Sequence, residues 1–361
     1  MMIYQLQPRG AFHFGERGIG VEETADLLHS DTLFAALVAA RRSLGEQPVP
    51  PDNHLPSLLP FLAGPPPLRI SSALPYAGDV LFFPRPHIPL GRGNAFKQVT
   101  LLSEQALRQL CQAGGLTGNE TDRAERELIH GRKVWVLPEE RESIAQMLLT
   151  GATNPQQRQQ MAAEFAQNPA AIRLWGGSDE PPTPHVAIDR RSSASHLFHT
   201  GRLRFAHGCG LSFWAQIDQP NYRPWLEEAL TFLQDEGLGG KRSTGHGQFT
   251  FTATARTLPL VDAPNAWLTL ALYHPHPDEL RDGLLHHAWY QRIHRQGWIS
   301  SPDGRDTRRK GIWMLREGSV LPHDVIGTME DVRPDRGFDH PVWRCGYALN
   351  LPLRLEESAT S

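Results

Sequence analysis

The chain has 361 residues, 40% hydrophobic and 21% charged, with a net charge of −3. That is a folded protein longer than one ordinary core serves, so it predicts two domains or one domain with a large insertion. MMIYQLQPRG lacks the basic start and apolar run of a signal peptide, and no stretch nears the roughly 18 uninterrupted apolar residues of a membrane span. Cys111, Cys209 and Cys345 are odd in number and far apart, which argues against a disulfide framework and fits reduced thiols in the cytoplasm.

Residues 2–7 predict a short strand. A glycine-bearing loop follows, and then His29 to Leu44 predicts a helix, with Ser30 or Asp31 as cap and Leu33, Phe34, Leu37 and Val38 as its buried stripe. Three prolines at 65–67 break regular structure. Residues 76–185 read as an insertion. FFPRPHIPLGRGNAFK has too many Pro and Gly for a central strand and predicts a projecting arm, while 151–170 is rich in Gln, Ala and Asn and predicts a mobile segment.

Strand order returns at 185–189. Leu211, Phe213, Ala215 and Ile217 then alternate with Ser212, Trp214 and Gln216, the period of a strand with unlike faces. YRPWLEEALTFLQDEG predicts an amphipathic helix, LGGKRSTGHG a glycine-rich loop, and Gln248 to Ala255 another strand. Without the insertion the order is strand, helix, two strands, helix, strand, the βαββαβ ferredoxin-like unit also found in RNA-recognition modules. The last hundred residues predict a second, less regular copy, with AWLTLALYH a strand and a long helix from Asp278. The fold class expected is therefore α+β: two ferredoxin-like domains over 1–255 and 256–361, the second degenerate.

Charge is distributed unevenly. Arg85 to Lys97 carries three bases and no acid. Between Asp189 and Arg204 four Arg face one Asp, and from Arg281 to Lys310 seven bases meet three acids. Such patches concentrate phosphate, although each taken singly reads equally well as a solvated face. The sharpest feature is Gly237 to Phe249, with five glycines in eleven residues around Lys241 and Arg242. Its amides could form an anion-binding nest. It is not a P-loop, because a strand follows it. It also follows a helix C-terminus, where the macrodipole disfavours phosphate, so Lys241, Arg242 and the amides must supply the attraction.

Arg190 and Arg191, beside Ser192, Ser193 and Ser195, could contact phosphates and 2′-hydroxyls, and His196, Phe198 and His199 offer rings for stacking. The adjacent His29, Ser30 and Asp31 read as chance or capping, because triad members converge from distant positions. His274 with His276 and His286 with His287 lack metal-site spacing, so neither a metal nor a cofactor is expected.

Five blocks in this order resemble a known family. HSDTLFAAL, AIDRRSSASHLF with LRFAHGCGLSFWAQID, GLGGKRSTGHGQF, GWISSPDGRDTRRKGIWMLREGSV and HPVWRCGYALNLP are similar to blocks of the fourth subunit of the Csm complex, the type III-A CRISPR interference machine, within the RAMP superfamily. The resemblance implies two ferredoxin-like domains, with the inserted arm acting as a thumb on the guide RNA. It implies a non-catalytic, single-copy subunit that binds the repeat-derived 5′ handle of the crRNA and contacts the large polymerase-like subunit and the first backbone subunit. Carried onto this sequence, the RNA-binding residues are Arg190, Arg191, Gly239, Gly240, Lys241, Arg242 and Ser243. Thr244, Gly245 and His246 of the same loop join them, as do the thumb residues Arg85, His87 and Lys97. The family usually has a glycine where Ser193 stands. An endoribonuclease of the same superfamily, needing no metal and using His13, His29 or His246 as general base, is the alternative.

Overall fold

In the first strand, Met2–Pro8 (β1), Tyr4 and Leu6 share one face and Ile3 lies on the other, and all three are buried. The computed structural model describes residues 1–15, 24–89, 95–112, 127–176, 183–188, 195–257, 261–281, 283–299, 307–335, 338 and 340–355. Helix Ser30–Ser43 (α1) buries Leu33, Phe34 and Leu37, one stripe at helical spacing. Short strands Leu68–Ile70 (β2), Leu74–Ala77 (β3), Val80–Pro84 (β4) and Leu101–Ser103 (β5) come next. Then follow helix Glu104–Gln112 (α2), strands Leu128–Ile129 (β6) and Val134–Trp135 (β7), and helices Pro138–Thr150 (α3) and Pro155–Gln167 (α4). The chain re-enters the centre with strand Cys209–Ile217 (β8), helix Tyr222–Glu236 (α5) and strand Phe249–Ala255 (β9).

Among the described residues nine strands form the main sheet in the order β9-β1-β8-β3-β4-β5-β7-β6, with β2 also on β8. β1 is antiparallel to both β8 and β9, in a register that sets Tyr4 opposite Phe213 and Ile3 opposite Trp214. At the centre, then, the chain order strand, helix, strand pair, strand, helix, strand is laid out fourth, first, third, second.

Both faces of this centre are covered. On one, Tyr4, Leu6, Leu211 and Phe213 pack under Leu33 and Leu37 of α1 and Leu226 and Leu230 of α5. On the other, Ile3, Phe83 and Trp214 join Leu268, Leu270, Leu349 and Leu351 from the C-terminal segment. Each of those leucines is fully buried, about 1.5–3 kcal/mol apiece. The strand expected to have unlike faces is therefore buried on both: Trp214 is not a solvent-side residue but the floor of a second core. In RNA-recognition modules the open face of the sheet stacks bases. Here that face is occupied by the C-terminal segment and offers no open platform.

Two further expectations change. FFPRPH does not project: Leu81, Phe82, Phe83, Pro84 and Ile88 are buried, and β4 is an inner strand between β3 and β5. Its prolines sit where no ladder amide is needed, Pro84 closing the strand, while the Arg85 and His87 amides donate to the Thr100 and Gly318 carbonyls. Residues 155–167 form a regular helix, α4, capped by Asn154, whose side chain accepts from the Gln157 amide at 2.8 Å. No residue of it is buried, which is why apolar periodicity did not reveal it.

In the C-terminal segment Ala266–Thr269 (β10) is the middle strand between Val320–Leu321 and Asn350–Leu353. The long helix expected from Asp278 is replaced by the single turn Pro277–Arg281, a 3-10 turn Leu284–His287 and strand Arg292–Arg295 (β11), paired with Ile312–Leu315 (β12). Trp289 ends the helical run by exchanging backbone hydrogen bonds with Val320. Among the described residues no helix is long and apolar enough to cross a membrane.

Candidate nucleic-acid interface

Helix α5 stops at Gly237, and the chain then loops back over residues 9–14 before entering β9. The Gly240 amide donates to the His13 carbonyl at 2.8 Å and the Gly247 amide to the Ala11 carbonyl at 2.9 Å. Leu238, fully buried, pins the loop from beneath. Two glycines are dictated by contact. At Gly239 (φ +87°) a Cβ would lie 2.5 Å from the His13 carbonyl oxygen, and at Gly247 (φ +87°) 2.2 Å from that of Leu238. Lys241 holds a left-handed conformation at φ 60° without being glycine, then Arg242–Thr244 makes a 3-10 turn.

Most amides of the loop are consumed by its own frame: those of 237, 238, 240 and 244–247 all donate to backbone carbonyls. The Gly239, Arg242 and Ser243 amides are not among these donors, so a nest is limited to Gly239 and the mouth of that turn. Arg242, Ser243, Thr244 and Gly245 are exposed, with Lys241 and His246 half-buried. Arg242 reaches Glu236 at 3.4 Å, and the Thr244 hydroxyl lies 3.1 Å from His246 Nδ1.

Arg9 was missed in the sequence. Its guanidinium donates to the Gln234 carbonyl at 2.6 Å and to Asp235 at 2.5 Å, while Gln248 donates to the Asp235 carbonyl. These donors occupy the last-turn carbonyls of α5 and offset the negative helix end that would repel a phosphate.

Arg190 and Arg191 lie outside the described residues; the segments Thr183–Ile188 and Ser195–Thr200 on either side pair as an antiparallel hairpin. Arg85 turns inward and donates to the Phe96 and Val99 carbonyls. Burial, with Arg85 and Arg316 nearby, pushes His87 down to about 4, so at neutral pH it carries no charge. Lys97 is exposed on the turn Ala95–Gln98.

The triplet His29-Ser30-Asp31, read as chance or capping, is instead a joint. His29 Nδ1 donates to Glu317 at 2.7 Å, and Ser72 also donates to that carboxylate. Ser30 Oγ accepts from the Leu272 amide at 3.0 Å. Asp31 takes Arg295 in a two-point ion pair at 2.9 and 3.0 Å and is bonded by Arg344 as well. Burial alone would raise the Asp31 carboxyl, but Arg295 and Arg344 overcome it and hold it well below the carboxylate range. No local signal reveals this, because every partner lies about 240 or more positions away except Ser72.

Residues 262–353, the segment that supplies those partners, match the family model of the CRISPR Csm4 C-terminal domain. The chain is 25% identical over 338 residues to the CRISPR system Cms protein Csm4 of Thermococcus onnurineus, covering 92% of each. It is 22% identical over 410 residues to the Csm4 protein of Methanocaldococcus jannaschii, covering 98% of this chain and 97% of that one. Its fold is similar to a chain in the crystal structure of the Csm3–Csm4 subcomplex of the type III-A CRISPR-Cas interference complex, with a TM-score of 0.68 and 17% identity, covering 98% of this chain and 99% of that one. The fold is α+β, like that of this solved chain. Along nearly its whole length the chain is similar to Csm4 proteins, and its C-terminal segment matches the Csm4 C-terminal domain.

Proposed function

We propose that this protein is a non-catalytic subunit of a type III-A CRISPR interference complex that holds the repeat-derived 5′ handle of the crRNA. The observation that carries this reading is the glycine-rich loop. It is a sharply folded, hydrogen-bonded turn with Lys241, Arg242 and Ser243 at its mouth, the last two exposed, beside a helix end whose carbonyls Arg9 and Gln248 occupy. Phosphate contacts from such cations and amides position an RNA backbone without reading sequence. The covered sheet face supports the same assignment, since the usual stacking platform is occupied by the C-terminal segment.

In this reading β1, α1, β2 with β3, β8, α5 and β9 form the first ferredoxin-like domain, residues 1–255, with 76–185 inserted. Residues 256–361 form the second, degenerate one. The handle contacts extend to Arg190, Arg191 and Lys97, while Arg85 and His87 serve to brace the insertion. The large polymerase-like subunit and the first backbone subunit are its partners in a single-copy position between them. One solved chain of similar fold comes from a Csm3–Csm4 subcomplex, which favours the second of these contacts.

The alternative, a metal-independent RAMP endoribonuclease, needs an available general base. His29 is buried on Glu317, and His13 is buried with Nδ1 2.9 Å from the Gly201 carbonyl. Both arrangements favour the binding role, while His246, half-buried in the loop with Nδ1 3.1 Å from the Thr244 hydroxyl, is the base on which the alternative rests.

Co-expression with the neighbouring Csm subunits and a guide array, purification through this subunit and sequencing of the RNA tests the proposal. Whole guides sharing one repeat-derived 5′ end are expected. Recovery of the protein alone, or with cut repeat fragments that it makes unaided, overturns it.

A further inference from the structure

A second basic surface lies on β11 and β12, elements remote in sequence from the glycine loop. Along the first of these, exposure alternates with period two. Arg292, His294, Gln296 and Trp298 point out, while Arg295 and Ile299 are buried. Across the ribbon His294 faces Trp313 and Trp298 faces Arg308. Trp298 and Trp313, 47% and 57% exposed, are the two tryptophans among the exposed large apolar residues described.

Each indole carries a cation. The Arg308 guanidinium sits 4.9 Å above the Trp298 ring, and that of Arg292 sits 5.3 Å above Trp313. The His294 ring centroid lies 5.0 Å from that of Trp313. Gly311 makes room for it, since a Cβ there would stand 2.3 Å from His294 Nε2.

Behind the ribbon, Arg295 and Arg344 bond Asp31, and Arg309, which donates to the Trp298 carbonyl at 3.2 Å, senses the same carboxylate, so three guanidiniums gather beneath the tryptophans. Exposed rings with flanking guanidiniums over a positive field form a stacking platform for bases and an attraction for phosphates. A protein-docking hot spot uses the same residue types but sits in a largely apolar patch with few charges. Here, among the described residues, the outward positions flanking the two tryptophans are basic or polar and carry no carboxylate.

We propose that this ribbon binds single-stranded RNA, with Trp298 and Trp313 stacking bases and Arg292 and Arg308 contacting phosphates. The proposal goes beyond handle holding and uses none of the loop residues.

The test is fluorescence anisotropy of the full chain with a labelled twelve-nucleotide oligouridine over a salt series, alongside a repeat-derived handle RNA. Trp298→Ala and Trp313→Ala are each expected to weaken oligouridine binding by about ten-fold or more, with Trp→Phe near wild type. Arg292→Ala with Arg308→Ala is expected to lower the salt slope by about 1.4. Melting curves check that these exposed substitutions leave the fold intact, and the arginine pair gives the reading should a tryptophan variant unfold. Unchanged oligouridine affinity in the double tryptophan variant overturns the proposal. So does loss of co-purifying Csm subunits with RNA affinity unchanged, which would make the ribbon a protein contact. A Lys241→Ala with Arg242→Ala variant that loses handle binding but keeps oligouridine binding supports this ribbon independently of the loop. Handle binding unchanged in that variant counts against the loop alone.

Discussion

Asp31, on the first turn of α1, and Arg295, in β11, form a two-point ion pair across 264 positions of the chain, both side chains almost completely buried. The pair ties the helix that roofs the main sheet to the C-terminal segment that floors it. With His29–Glu317 beside it, this joint fixes the two halves relative to one another.

Removing one side of a buried pair strands the other. Asp31→Ala leaves Arg295 and Arg344 buried without their carboxylate and is expected to cost about 3–5 kcal/mol in urea or thermal unfolding. Asp31→Asn keeps the shape but not the charge and is expected to lose nearly as much. A loss below 1 kcal/mol in either variant would show that the joint does not hold the fold.

The joint also predicts acid sensitivity. Burial opposes ionisation of Glu317, yet His29 and Ser72 hold its carboxyl below the usual range, and Asp31 is lower still. A carboxylate depressed in the folded state stabilises above its unfolded value, about 4, and that stability is lost as pH falls from there through the lower folded value. The melting temperature is expected to begin to fall below about pH 6.5, where unfolding lets His87 take up the proton its burial denies it, and to drop more steeply below about 5, where the two carboxylates contribute. In Glu317→Gln the drop should be smaller, from a lower starting point at pH 7.

At the glycine loop, replacing Lys241 and Arg242 together by Ala is expected to weaken handle-RNA binding and lower the salt slope by about 1.4 for a single strand. Lys241→Gly separates charge from shape. Glycine suits the left-handed backbone at 241, so stability should hold or rise by up to about 1 kcal/mol while RNA affinity falls. Equal affinity in wild type and Lys241→Gly would remove that ammonium from the site.

Gly247→Ala places a Cβ 2.2 Å from the Leu238 carbonyl at φ +87° and is expected to cost about 1–3 kcal/mol and to disturb the loop. Gly64→Ala, in extended backbone with open space around it, is the control and should be near neutral. Equal melting temperatures for the two would mean that the loop yields without strain.

His29→Ala tests the joint from its other side. As a helix-end residue alone it would cost little, but as the partner of buried Glu317 it should cost about 2–4 kcal/mol while RNA affinity at the loop stays within two-fold. Circular dichroism melts and anisotropy on the same preparation separate the two effects.

The sequence by itself determined the local elements that bury an apolar stripe or alternate cleanly: β1, α1, β8, α5 and β9, and the glycine loop with its cations. Periodicity and glycine spacing are properties of contiguous residues, so they are legible without a fold. Tertiary structure alone decided that Trp214 faces a second core, that Phe82 and Phe83 lie in an inner strand, and that His29, Ser30 and Asp31 are anchored to Glu317, Leu272 and Arg295. Those facts depend on which surfaces meet across hundreds of residues. A buried charge is tolerable only opposite its partner, and nothing in the local run HSDT shows which distant arginine will come to meet it.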